Sequence, residues 1–231
     1  MKKSQKSKQE DIEKLLKIGA EEIGCYIGER EIALFLKYLE ELKEWNKKIN
    51  LTAIKDDKDI IIKHFLDSLI LAPFLKSCKN LLDIGSGAGF PGIPLKIVMP
   101  ELKVALLDAN NKKVSFTNHI IRMLGLKDIE TVHARAEDEK IIKKLGKPAP
   151  ESFNRGFDAV TSRAFAELKD FLKTAKPYAK ERGLIISMKG PKGIEELDRA
   201  KKIEDLTLVE KKAVKLPFSD IMTSVFVFKK V

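Results

Sequence analysis

The stretch Leu81-Leu82-Asp83-Ile84-Gly85-Ser86-Gly87-Ala88-Gly89-Phe90 constrains the fold more than any other part of the chain. A short apolar run ends in an acid, and three glycines then alternate with small residues. An apolar run of this length, closed by glycines, reads as a buried strand. Glycines at its end permit a tight turn and let the backbone approach a ligand closely. A second apolar run, from Lys103 to Leu107, ends in another acid, Asp108, 23 positions after Gly85. Strand, glycine turn, helix, strand and terminal acid make the layout of a nucleotide-type cofactor site on a parallel sheet.

The rest of the chain fits around that unit. Strand-like runs at 80–84, 103–108, 128–133, 157–161, 183–188, 207–214 and 223–229 alternate with helical stretches such as 111–124, which Gly125 stops. This alternation predicts an α/β fold, a mostly parallel sheet with helices on both faces. Residues 215–220 read as a turn, so the last two strands pair antiparallel. Before residue 80 the pattern is helical. Ile32, Phe35, Leu36, Leu39, Leu42, Trp45 and Ile49 share one face, with Trp45 a core anchor. A later helix carries Ile60, Ile61, His64, Phe65, Leu69 and Ile70, and Pro73 marks its end. Residues 1–8 read as a mobile basic tail and 146–156 as a surface loop. The chain therefore divides into a helical cap, 1–78, without an active-site cluster of its own, and an α/β cofactor domain, 79–231.

The charge is uneven. Residues 1–78 hold 15 basic and 14 acidic side chains, whereas residues 79–231 hold 29 and 20. A basic excess on the cofactor domain suits a polyanionic partner such as nucleic acid. No run approaches the roughly 18 apolar residues of a membrane span, and the polar N-terminus lacks the apolar core of a signal peptide. Only Cys25 and Cys78 occur, too few for a disulfide framework or a cysteine-rich metal site. The expectation is a cytoplasmic protein with no membrane partner and no metal.

The spacing Gly85, Gly87, Gly89 is G-x-G-x-G, whereas the dinucleotide fingerprint G-x-G-x-x-G would need a glycine where Phe90 stands. That mismatch disfavours a nicotinamide dehydrogenase. No Lys-Ser/Thr pair follows the second glycine, so the loop is not a P-loop. Asp108 ends the next strand, where a carboxylate can accept both hydroxyls of a ribose. A ribose-binding acid beside a loop poorly suited to pyrophosphate points to S-adenosylmethionine. Asp83 then suits the ammonium at the methionine end. The expected cofactor contacts are Asp83, Gly85, Gly87, Gly89, Phe90, Asp108 and its neighbour Ala109.

Longer motifs carry a resemblance. The run Gly85-Ser86-Gly87-Ala88-Gly89-Phe90-Pro91-Gly92-Ile93-Pro94-Leu95 resembles the signature of the RsmG (GidB) family of bacterial ribosomal RNA methyltransferases. Trp45-Asn46-Lys47-Lys48-Ile49-Asn50-Leu51-Thr52, His64-Phe65-Leu66-Asp67-Ser68 and Ser162-Arg163-Ala164-Phe165-Ala166 are similar to the family as well, in order and from about Ile32 to the C-terminus. The resemblance implies the class I S-adenosylmethionine-dependent methyltransferase fold, Rossmann-like, with seven strands and the last antiparallel. It implies methylation of N7 of a guanosine in 16S rRNA beside the decoding centre, on the rRNA, the small ribosomal subunit or an assembly intermediate. By matching motifs, Gly85 and Phe90 contact the cofactor, Ala136 and Glu137 flank the adenine, and Arg163 reaches into the site. The protein is expected to be a monomer.

Guanine N7 already carries a lone pair. Methylating it removes no proton, so the reaction needs placement rather than a general base. No Asn/Asp-Pro-Pro-Tyr/Phe run, the usual holder of acceptor amines, follows the fourth strand. Methylation at carbon 5 of a pyrimidine needs a cysteine nucleophile. Cys25 lies in the helical cap, and Cys78 lies at the wrong end of the first strand. Arg163 is the leading site residue and the one catalytic candidate, able to bind phosphate or stack on a flipped guanine; otherwise it pairs with Glu137 or Asp158. Lys189 and Arg122 are candidates for RNA phosphate. His64 either orients a side chain or is a satisfied buried histidine. A small-molecule methyltransferase and a non-catalytic RNA-binding protein are the alternatives.

Overall fold

The structure is a computed structural model that describes residues 2–145, 156–163, 167–200 and 203–231. Strands β1 (Asn80–Ile84), β2 (Lys103–Asp108), β3 (Ile129–His133), β4 (Phe157–Arg163), β5 (Ala179–Lys189), β6 (Leu206–Lys215) and β7 (Met222–Lys230) form one sheet in the order β3-β2-β1-β4-β5-β7-β6. Strands β1 to β5 run parallel, and β7 is antiparallel to both β5 and β6. Each run read as a strand is a strand, and β5 begins four residues earlier than expected. The edge strand β6 is mostly exposed and carries Glu210, Lys211 and Lys212, charges that discourage pairing with another chain.

The helices are α1 (Lys2–Glu22), α2 (Glu29–Ile49), α3 (Asp57–Ile60), α4 (Asp67–Leu69), α5 (Gly92–Val98), α6 (Asn111–Met123), α7 (Glu139–Leu145), α8 (Leu168–Ala175) and α9 (Gly193–Ala200). A π-helical turn, Ile61–Leu66, joins α3 to α4, and a 3-10 turn, Ala72–Leu75, holds Pro73. Period-2 alternation sends Leu82, Ile84, Ala105 and Leu107 to one face, where they pack with Leu168, Phe171 and Leu172 of α8 and Leu197 of α9. Leu81, Val104 and Leu106 go to the other face and share a buried cluster with Leu16, Phe35, Leu42, Phe65, Leu69, Ile93 and Phe116. Both faces are covered, as a parallel sheet requires.

The helical segment thus packs straight onto the sheet through one continuous apolar cluster. Trp45 serves as the expected anchor, its ring 5.6 Å from that of Phe116. Gly125, at φ +62°, ends α6 as expected. The predicted tail is corrected: the backbone is helical from Lys2. The predicted loop at 146–156 lies outside the described residues except for Gly156. The order in which strands are added reverses between β1 and β4, since β2 and β3 extend the sheet one way and β5 the other. In such sheets the ligand crevice opens at the C-terminal ends of the strands flanking this switch point. Gly85 and Arg163 stand at those two ends.

Candidate active site

The glycine loop is held by the strand beside it. Gly85 N–H and Ser86 N–H donate to Leu107 O at 2.7 and 3.1 Å. Gly87 N–H donates to Asp108 Oδ2 at 2.8 Å, and Asp108 Oδ1 accepts from Asn110 N–H at 2.7 Å. Asp108 therefore ties the loop after β1 to the turn that starts α6. Gly87 sits at φ +60°, and a Cβ added there would meet only Gly85 O, at 3.9 Å. Gly89, at φ +95°, is the reverse: a Cβ there would overlap Ile93 and come within 2.9 Å of Tyr38 Oη. One glycine faces open space and the other faces packed protein. Tyr38, fully buried on α2, donates to Ala88 O and stacks on Phe90 at 5.5 Å.

That open space is a cavity of about 520 Å³. One end is walled by Asp108, Ala109, Lys113, Ala136 and Glu137, and the other by Leu51, Thr52, His64, Phe90 and Arg163. The second end is built across the chain. His64, in the π-helical turn, stacks on Phe90 with centroids 4.6 Å apart, and the Arg163 guanidinium carbon lies 5.0 Å from the same ring centroid. Arg163 Nη1 donates to Lys63 O at 2.9 Å and pairs with Asp67 Oδ2 at 3.4 Å; Nη2 donates to His64 Nδ1 at 3.0 Å. Asp67 Oδ1 in turn accepts from Thr223 Oγ1 at 2.7 Å.

The network fixes the state of His64. An arginine offers only protons, so Nδ1 must accept and Nε2 must carry the hydrogen. Lys63 O, 3.1 Å from Nδ1, is then satisfied by Arg163 and not by the imidazole. Nε2 donates to Thr52 Oγ1 at 2.8 Å. Burial first, and the Arg163 charge second, lower the His64 pKa to about 3. The ring is neutral at physiological pH. Burial likewise raises the Asp67 pKa, an effect Arg163 opposes.

Most of the expected site residues meet here. Gly85, Gly87, Phe90, Asp108, Ala109, Ala136, Glu137, Arg163 and His64 line one cavity. Five expectations need correction. Asp83 is completely buried behind the loop and does not line the cavity; Oδ2 accepts from Gly92 N–H at 2.9 Å, fixing the start of α5, while Oδ1 has no partner among the described residues. Burial pushes its pKa up to about 7. Lys189 is tied to Glu196 at 2.9 Å with its side chain 8% exposed, which removes it from any phosphate surface. Arg122 is exposed at the far end of α6 from Lys113, away from the cavity. Arg163 pairs with Asp67, whereas Asp158 pairs with Lys180 and Glu137 stands at the opposite end of the cavity. Gly89, expected to contact the cofactor, does not line the cavity; it faces Ile93 and Tyr38 on the packed side of the loop.

The helical segment also does more than expected, because Leu51, Thr52 and His64 form one wall of the cavity. Tyr38 and Thr52 were missed as site residues. Tyr38 lies three positions after Phe35 on the apolar stripe, a visible signal; Thr52 closes the Trp45–Thr52 motif but lacks any chemistry-bearing neighbour in sequence.

A cavity of about 520 Å³ falls within the usual small-ligand range of roughly 300–1,000 Å³. The residues present fit S-adenosylmethionine: the space beyond Gly87 would be filled by any side chain, and the Asp108 carboxylate keeps lone pairs beyond the two it has committed. The GidB family model, described as rRNA small subunit methyltransferase G, matches residues 31–220. The chain belongs to that family. It is 44% identical over 229 residues to ribosomal RNA small subunit methyltransferase G of Acetivibrio thermocellus, covering 95% of this chain and 88% of the relative. It is 41% identical to that of Geobacter sulfurreducens, covering 89% and 92%. Among solved structures, an O-methyltransferase from Bacillus cereus in complex with SAH superposes with a TM-score of 0.56 at 16% identity, covering 84% and 91%. TrmN from Thermus thermophilus gives 0.53 at 18% identity, covering 71% and 49%. These likenesses carry the class I fold expected from the strand order. As a GidB member the chain is an S-adenosylmethionine-dependent rRNA methyltransferase, which sets aside the small-molecule and non-catalytic alternatives. Among the described residues no helix is long and apolar enough to cross a membrane.

Proposed function

We propose that this methyltransferase transfers its methyl group to N7 of a guanosine in 16S rRNA beside the decoding centre, acting as a monomer on the small subunit or its precursor. The observation that supports this reading best is that, among the described residues, no competent base stands at the Thr52–Arg163 end of the cavity. His64 is a very weak base there, and its Nδ1 lone pair is taken by Arg163. Asp67 is engaged by Arg163 and Thr223. Cys25 and Cys78 stand outside the cavity, with burial holding both as thiols, pKa about 11. An exocyclic amine or a ring carbon would need a group of that kind. A ring nitrogen with its own lone pair does not.

Bound S-adenosylmethionine supplies an electrophilic methyl on a sulfonium. In this reading Gly85, Gly87, Phe90, Asp108, Ala109, Ala136 and Glu137 hold it, with Asp108 toward the ribose. Arg163 stands over the Phe90 ring and, pinned by Lys63 O, His64 and Asp67, offers a cationic group to the incoming nucleotide. Proximity and orientation of this kind can supply about 7–11 kcal/mol of a barrier. Labelled S-adenosylmethionine, small subunits lacking the modification, and cleavage mapping at N7-methylguanosine test the reading. One new N7 mark in 16S rRNA is expected; label on an exocyclic amine or ring carbon, or none, would refute it. Light scattering checks the monomer.

A further inference from the structure

The loop between α2 and α3 holds Thr52 more firmly than packing requires. Asn46, in the last turn of α2, closes a two-bond pair with its backbone: Nδ2 donates to Thr52 O at 2.8 Å, and Oδ1 accepts from Thr52 N–H at 2.9 Å. The residue so clamped lines the cavity beside His64 and Arg163. Leu51 and Thr52 also line a second hollow of about 730 Å³, so Thr52 stands at the boundary of the two.

A hydroxyl has two lone pairs and one proton. Ile54 N–H donates to Thr52 Oγ1 at 3.1 Å, and His64 Nε2–H donates to it at 2.8 Å. Both lone pairs are taken, and the His64 tautomer that takes the second is imposed by Arg163. The Thr52 proton is the remaining valence, and no acceptor among the described residues receives it. This hydroxyl can act only as a donor.

We propose that the Thr52 hydroxyl donates a hydrogen bond to the 6-oxygen of the acceptor guanine, held by Asn46 and His64, and so selects guanine over adenine at the methylated position. The proposal rests on N7 as the acceptor atom. Guanine presents two adjacent acceptors on that edge, N7 and O6, whereas adenine presents N7 beside a 6-amino donor. A free hydroxyl reverses its role to suit either base. Thr52 cannot, because its lone pairs are engaged, so adenine would set donor against donor. Asn46 is a positioning residue that acts through Thr52.

The test uses small subunits reconstituted with guanosine or 2-aminopurine riboside, which lacks the 6-oxygen, at the target position. For the wild-type protein, kcat/KM should fall about 5- to 100-fold on 2-aminopurine, the range expected when one buried partner of a hydrogen bond is removed. Thr52→Val should show that loss on guanosine and little further loss on 2-aminopurine. Thr52→Ser should recover most of the activity, and Asn46→Ala should shrink the ratio between the two substrates. Affinity for S-adenosylhomocysteine should stay within about 2-fold in Thr52→Val. Wild-type indifference to the 6-oxygen, which needs no variant, overturns the proposal. So do losses from Thr52→Val and 2-aminopurine that simply multiply. Methylation of unmodified guanosine subunits at an atom other than N7 overturns the functional reading first, and shows in the wild-type protein alone.

Discussion

Gly87 and Gly89 stand two residues apart in one loop, and replacing them should damage different properties. At Gly87 an L-residue must adopt φ near +60°, which costs about 1–2 kcal/mol. Nothing else opposes it, because the added Cβ meets only Gly85 O at 3.9 Å. A domain of this size loses about 2–4 °C per kcal/mol, so Gly87→Ala should lower Tm by roughly 2–8 °C. Valine adds two methyls that can only enter the cavity. Gly87→Val should therefore weaken S-adenosylhomocysteine more than 100-fold, about 2.8 kcal/mol, with a somewhat larger Tm loss than alanine. At Gly89 the backbone strain is joined by overlap with Ile93 and Tyr38, and overpacking of that sort costs about 1–3 kcal/mol more. Gly89→Ala should lower Tm by roughly 4–20 °C. The ligand affinity of the fraction still folded should suffer less than in Gly87→Val. Titration calorimetry and thermal melting on the two variants read both quantities. Near-normal binding by Gly87→Val would refute the placement of the ligand. Equal destabilisation of the two variants would refute the division of the loop into an open side and a packed side.

Arg163→Ala removes the partner of a largely buried Asp67 and should destabilise the fold by about 3 kcal/mol, while lowering kcat at least 10-fold and changing S-adenosylhomocysteine affinity less than 5-fold. Equal losses in kcat and affinity would make it a cofactor residue. The His64 pKa is lowered to about 3 on folding, so below its unfolded value near 6.5 the unfolded chain binds the extra proton; stability should decline as pH falls from 6.5 towards 3, and a melting series on His64→Gln should lose that component of the slope. The opposite sign holds for Asp83, raised to about 7: the native state keeps a proton the unfolded chain releases, so Asp83→Asn should gain stability relative to wild type as pH rises from 4 to 7, with an unchanged difference across that window counting against the reading. The double variant Cys25→Ala, Cys78→Ala should keep its turnover in a methyl-transfer assay; abolished turnover in a folded variant would mean a thiol takes part.

The sheet and the glycine loop were legible because their signals are local. A strand announces itself by a short apolar run, and Gly85, Gly87 and Asp108 sit at the ends of adjacent strands, where they line one cavity. Lys189 and Asp83 misled for a common reason. Their sequence positions, at strand ends beside the crevice, suit a ligand contact. What each side chain does there depends on a neighbour from elsewhere in the chain: Glu196 for Lys189, and the start of α5 for Asp83. Arg163 was identified as a site residue, but its partner, 96 residues away, was not. Composition cannot say which of many acids a guanidinium will reach.

The sequence alone determined that the chain makes a mostly parallel sheet, that a glycine turn at Gly85–Gly87 closes its first strand and that Asp108 ends the neighbouring strand, because periodicity and glycine conformation act over a few residues. Only the tertiary structure decided what faces that turn. The helical segment lays Thr52 and His64 against Phe90 and Arg163, through hydrogen bonds spanning 12, 99 and 100 residues of chain. Those bonds set a tautomer, neutralise a histidine and leave one hydroxyl proton unclaimed. Such states belong to groups brought together by packing, and no residue involved carries them by itself.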